Sequence, residues 1–114
     1  MPDLDATFAA LSDILRKHAT GMSLRTDEPR HLYIELPAAI AKAKPAFFGA
    51  VQAKKAYVSY HLMPVYKKPE LLADTSDALR RRMQGKSCFN FTAVDPALFE
   101  ELDQLTGKCA LAVR

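Results

Sequence analysis

The sequence predicts an α+β fold: a mostly antiparallel sheet of four to five strands with the N- and C-terminal helices packed on one face. Three observations lead there. Apolar residues recur at steps of three and four near both ends of the chain, they alternate with polar residues through its middle, and turn residues separate the alternating stretches closely enough for hairpins. At 114 residues the chain has the length of one domain, read as a single unit over 1–114. Folding at that size buries roughly 60 to 70 percent of the surface the unfolded chain exposes, enough for a real core.

Leu4, Phe8, Leu11, Leu15 and His18, with Ile14 beside them, form one apolar stripe of an amphipathic helix. Asp3 is its expected N-cap, since a carboxylate there accepts orphan backbone N–H groups, and Gly21 is expected to stop it. The segments MSLRT and HLYIEL then form a hairpin turning through Asp27, Glu28 and Pro29, with Leu32, Ile34 and Leu36 on one face and His31, Tyr33 and Glu35 on the other. Between Pro37 and Pro45, AAIAKAK reads equally as a helix or an irregular connection. A second hairpin spans 46–53 and 56–63 around Lys54 and Lys55. Val58, Tyr60 and Leu62 share one face of its second strand, and Tyr57, Ser59 and His61 share the opposite one. Pro64, with no N–H to donate, ends that strand.

Residues 69–83 predict one or two short helical turns, with Pro69 at a start, Ser76 as the second cap, and Leu79 and Met83 as an apolar pair. KSCFNF is a strand with Phe89 and Phe91 on one face. Asp95 and Pro96 mark the start of the last helix as N-cap and first helical residue. Val94 and Phe99 stand where a hydrophobic staple would, and Leu98, Leu102, Leu105 and Cys109 carry the stripe.

Composition narrows the function classes. The 49% hydrophobic and 25% charged content is that of an ordinary globular chain. The first residues carry acids ahead of their apolar positions and lack the pattern of a secretory signal, and no run approaches the roughly 18 apolar residues that span a bilayer. A cytoplasmic protein without a membrane partner is expected. Cys88 and Cys109 are accordingly expected to be free, buried thiols. The net charge of +3, from 16 Lys and Arg against 13 Asp and Glu, is mild, and no basic stripe interleaved with aromatics points to nucleic acid.

Gly85-Lys86-Ser87 resembles the end of a phosphate-binding loop. Arg80 stands where the loop needs its first glycine, and the order helix–loop–strand reverses the strand–loop–helix order that aims a helix dipole at phosphates. Arg80, Arg81 and Arg82, with Lys86, supply a solvated basic face or a patch for an anion or acidic partner. Successive helical residues point about 100° apart, which fans the three arginines out. Cys88 has phenylalanine neighbours and reads as structural, because reactivity requires a lowered thiol pKa and access. His18, His31 and His61 lack metal-ligand spacing. His61 is the one placed to line a pocket, on a face with Tyr57 and Ser59. Asp95, Glu100, Glu101 and Asp103 crowd the start of the last helix, where the dipole favours them and where a hard cation is also held by oxygen donors. No nucleophile, base and orienter stand together, so an enzyme is not expected.

The stretches AYVSYHLMPVY, RMQGKSCFNF and DPALFEELDQLT together resemble the YdhG-like family, small bacterial domains described as frataxin-like; the resemblance covers residues 46–106. It implies a compact α+β domain whose sheet is covered by the terminal helices, and a role in iron handling. Family members often carry Ser-Tyr-Gly-Met-Pro where this chain reads Ser59-Tyr60-His61-Leu62-Met63-Pro64, and the positive net charge weakens an acidic iron-binding ridge. The expected function is therefore a non-enzymatic binding domain for an anionic small molecule or a protein partner, through a surface joining Tyr57, His61 and Tyr66 to Arg81, Arg82 and Lys86. The alternative is iron binding through Asp95, Glu100, Glu101 and Asp103, with iron as the only implied cofactor. Homo-oligomerisation is left open.

Overall fold

The computed structural model describes residues 3–36 and 46–113. Helix α1 (Leu4–Lys17) leads into strands β1 (Ser23–Glu28), β2 (His31–Leu36), β3 (Ala46–Ala53) and β4 (Val58–Leu62). A short helix α2 (Met63–Lys67), a 3₁₀ turn (Pro69–Leu72) and one turn of helix α3 (Asp77–Arg80) precede strand β5 (Cys88–Phe91) and helix α4 (Pro96–Ala112). The five strands form one antiparallel meander in the order β1-β2-β3-β4-β5, an α+β fold with long helices at both ends. The segment between Pro37 and Pro45, left as helix or connection above, lies outside the described residues.

Caps behave as their chemistry requires. Asp3 accepts the Ala6 N–H and Asp95 the Leu98 N–H through side-chain oxygens, and Pro96 opens α4. The first helix ends at Lys17 instead of running to Gly21. Gly21 adopts φ +83° in the turn into β1, a conformation that costs a residue with a Cβ. Strand β1 continues through Glu28, which pairs with His31, so the first hairpin turns through Pro29 and Arg30 and not through Asp27–Pro29. Pro64 does end β4, but the chain then makes the short helix α2, which the sequence reading lacked; a proline is tolerated in a first helical turn, where its missing N–H has no partner to lose. Val94 is 46% exposed and does not close a staple over the buried Phe99.

Alternation assigns the faces. Leu32, Ile34, Val51, Val58, Tyr60, Leu62, Phe89 and Phe91 are buried on one side, beneath Leu11 and Leu15 of α1 and Leu102, Leu105 and Cys109 of α4. A bulge between Ile34 and Glu35 leaves Phe48 unpaired, so Phe48 and Gly49 are both buried while Phe47 faces away. Gly49 lets α1 sit close: a Cβ there would lie 2.9 Å from the His61 carbonyl oxygen and 3.0 Å from Leu15 Cδ1. Inside this layer the Tyr60 hydroxyl meets Thr106 Oγ1 at 2.7 Å, and Thr106 donates to the Leu102 carbonyl at 2.6 Å, satisfying both polar atoms.

The opposite side of the sheet carries no helix of the described residues. On it Tyr33 stacks on Phe47 (centroids 4.7 Å apart, 16° between planes), and Phe47 meets the His61 ring edge-on at 4.8 Å. The rings shield one another, which leaves Tyr33, Phe47 and His61 half-buried.

Candidate anion-binding groove

The site begins with the cap of α3. Ser76 Oγ accepts the Leu79 N–H, and Glu101 of α4 accepts from both the Ser76 N–H (2.8 Å) and its hydroxyl (2.7 Å), fixing α3 against the last helix. The chain leaves α3 through Arg81 and runs along the outer edge of β5. Asn90 N–H donates to the Arg82 carbonyl at 2.8 Å, Gln84 N–H donates to the Cys88 carbonyl at 3.0 Å, and Met83 bridges Phe89. Gly85, at φ +83°, makes the reversal into β5. The Gly85-Lys86-Ser87 segment is thus a turn between an edge and its strand.

The expected fanning of all three arginines holds only for Arg80: helix α3 ends there, Arg81 and Arg82 lie beyond it, and these two turn to one groove. Arg80 folds back onto the carbonyls of Leu72 (2.7 Å) and Ala73 (3.3 Å) and onto Thr75 Oγ1 (3.0 Å). Arg81 and Arg82 form no ion pair with the described residues, and both are exposed. They line one open groove of about 410 Å³ together with Tyr57, Gln84, Asn90 and Thr92, and no carboxylate lines it. Tyr57 arrives from just ahead of β4. Asn90 points to the helix-free side of the sheet, where its Nδ2 donates to Gln84 Oε1 at 2.6 Å. An adjoining depression of about 520 Å³ shares Arg81 and Arg82 but contains Asp95, which opposes a second negative charge. Two guanidiniums without a counter-charge make the first groove the more electropositive of the two.

The expected six-residue surface therefore divides. Tyr57, Arg81 and Arg82 come together. His61 lies on the same side of the sheet, two pairs beyond Ser59 and Asn90 along the β4–β5 ladder, opposite Cys88, and its Nε2 is 2.6 Å from Ser87 Oγ. Burial pushes its pKa down, so the ring is neutral at neutral pH and is occupied by Ser87 and Phe47. Tyr66 is exposed, with Lys86 Nζ 5.8 Å from its ring centroid, a separate cation–π pair. Burial pushes the half-buried Cys88 thiol up, against a smaller downward pull from Lys54, while burial alone pushes Cys109 up to about 12. Both cysteines are free.

Three of the four carboxylates singled out at the start of the last helix have structural partners. Asp95 caps α4, Glu101 holds Ser76, and Asp103 receives Lys17 Nζ at 2.9 Å and His18 Nε2 at 2.5 Å, tying α4 to α1. Burial raises the Asp103 pKa, and the hydrogen bonds from His18 and Lys17 more than offset it, leaving it below the usual carboxylate range. Glu100 is exposed. Among the described residues no three His, Cys, Asp or Glu side chains gather as metal ligands, and no helix is long and apolar enough to cross a membrane.

Gln84, Asn90 and Thr92 were not anticipated in the site. Alternation in CFNF does put Asn90 on the side away from Phe89 and Phe91, but only the pairing of Arg82 with Asn90 brings the arginines to it. Comparison with family models, with characterised proteins and with solved structures finds no match to the chain.

Proposed function

We propose that this chain is a non-enzymatic, YdhG-like binding domain of the cytoplasm that recognises an anionic partner in the groove of Tyr57, Arg81 and Arg82. One observation carries the reading: two sequence-adjacent guanidiniums, neither of them ion-paired among the described residues, line a groove that has an aromatic wall and no carboxylate. An unpaired arginine offers a fork of N–H donors that matches carboxylate and phosphate oxygens two at a time. The family component rests on the sequence resemblance alone. Iron handling through Asp95, Glu100, Glu101 and Asp103 gains no support from the geometry, because three of the four hold helix caps or interhelical contacts.

Isothermal titration calorimetry with pyrophosphate at low ionic strength tests the reading. Binding should weaken roughly tenfold in R81A and again in R82A, the size expected of a charge-assisted bond. Affinity unchanged in the double variant would overturn it.

A further inference from the structure

The groove holds more than positive charge. In an antiparallel pair of strands, residues facing each other across a hydrogen-bonded position exchange two bonds, N–H to O=C in both directions. Asn90 and Arg82 make only one of these. The Asn90 N–H reaches the Arg82 carbonyl, but the Arg82 N–H turns back to the Leu79 carbonyl at 3.0 Å, closing the last turn of α3. The Asn90 carbonyl is left facing outward from β5 with no hydrogen bond among the described residues, in the groove that Arg81 and Arg82 line.

This mixture discriminates between anions. Sulfate and a DNA backbone offer acceptor oxygens to the guanidiniums and nothing to a carbonyl, and pyrophosphate offers at most an acidic hydroxyl. A polypeptide offers carboxylates to the arginines and backbone N–H groups to the carbonyl. The groove is also open, and it adjoins the depression containing Asp95, with Arg81 and Arg82 on the boundary. Compact ligands are normally held in clefts that cover most of their surface, whereas an extended chain suits an open groove beside a strand edge.

We infer that the anionic partner is an extended, acidic polypeptide segment, which lays carboxylates on Arg81 and Arg82 and donates a backbone N–H to the Asn90 carbonyl at the free end of the β5 edge. The inference rests on the anion-binding reading and specifies its partner. In an extended chain, alternate side chains stand about 7 Å apart on one side, so acids at every second position present a row of carboxylates to the two arginines.

Fluorescence anisotropy with a labelled decapeptide of alternating glutamate and serine tests this. Three competitors accompany it: the same sequence with ester links replacing alternate amides, pyrophosphate, and a ten-nucleotide oligothymidine. The amide peptide is expected to bind, to lose about tenfold in R81A or R82A, and to lose at least about threefold on ester replacement, which removes N–H donors while keeping every charge. In a ¹⁵N-labelled sample its addition should move the amide signals of residues 90–92. Equal affinity for the amide and ester peptides, or tighter binding of the oligonucleotide, overturns the polypeptide inference. So does pyrophosphate binding that depends on both arginines while the peptide fails to bind, a result that leaves the anion reading standing. Absence of any binding sensitive to Arg81 and Arg82 overturns both.

Discussion

The buried pair Tyr60 and Thr106 yields a prediction about sign as well as size. Both side chains are fully buried, and the Thr106 hydroxyl spends its hydrogen on the Leu102 carbonyl, so the 2.7 Å contact must be donated by Tyr60. Tyr60→Phe removes a donor and leaves Thr106 still bonded to Leu102; the loss of one net hydrogen bond is about 1 kcal/mol. Thr106→Val removes the acceptor and strands the tyrosine O–H in an apolar layer, which costs about 2–3 kcal/mol because the desolvation of that donor is no longer compensated. The double variant removes both polar groups, and Leu102 keeps the backbone N–H of its helix. It should be more stable than Thr106→Val alone, a coupling of about 1 kcal/mol or more. Equilibrium urea denaturation followed by far-UV circular dichroism measures all four corners of the cycle; each 1 kcal/mol corresponds to about 4 °C in Tm for a chain of this length. A Thr106→Val no costlier than Tyr60→Phe, or a double variant less stable than Thr106→Val, would refute the assigned direction of the bond.

Two further predictions concern stability. Gly49→Ala should destabilise by about 1–3 kcal/mol in the same denaturation assay, since the new methyl meets the His61 carbonyl at 2.9 Å and the Leu15 side chain at 3.0 Å; a neutral result would mean that α1 does not lie this close to β3. Alkali should destabilise the protein through Cys109, whose thiol is pushed up to about 12 in the fold against about 8.5 in the unfolded chain. Above that lower value the unfolded state has lost the proton and the folded state keeps it, so this contribution is fully present below pH ~8.5 and is lost as pH rises toward ~12, at up to about 1.4 kcal/mol per pH unit. Cys109→Ala should reduce the slope of stability against pH between ~9 and ~11, and an unchanged slope would refute the assignment.

Much of the fold was legible because it depends on local rules. The caps at Asp3, Ser76 and Asp95 and the turn at Gly85 follow from what one side chain or one φ angle permits within a few residues. The alternation of HLYIEL and CFNF assigns buried and open faces without knowledge of the partner strands. The misses were equally physical. Helix α2 follows a proline that ends a strand and also suits a first helical turn, and the end of β1 depended on the register of its partner, which carried the pairing on to Glu28.

Residue order alone was enough for the fold class, for the core faces of β2, β4 and β5, and for the failure of Gly85-Lys86-Ser87 as a phosphate loop; it wrongly spread Arg81 from Arg82, which lie beyond the helix and share a groove. Which of those groups meet follows from packing between the elements. It separated Tyr66 and Lys86 from the arginines, spent Asp95, Glu101 and Asp103 on caps and interhelical contacts, and enclosed His61 between Phe47 and Ser87. It also placed Asn90 and Tyr57 beside Arg81 and Arg82. Register explains the division: a local pattern specifies which way a side chain points, but its neighbours on the next strand follow from pairing and bulges set by packing across the whole sheet.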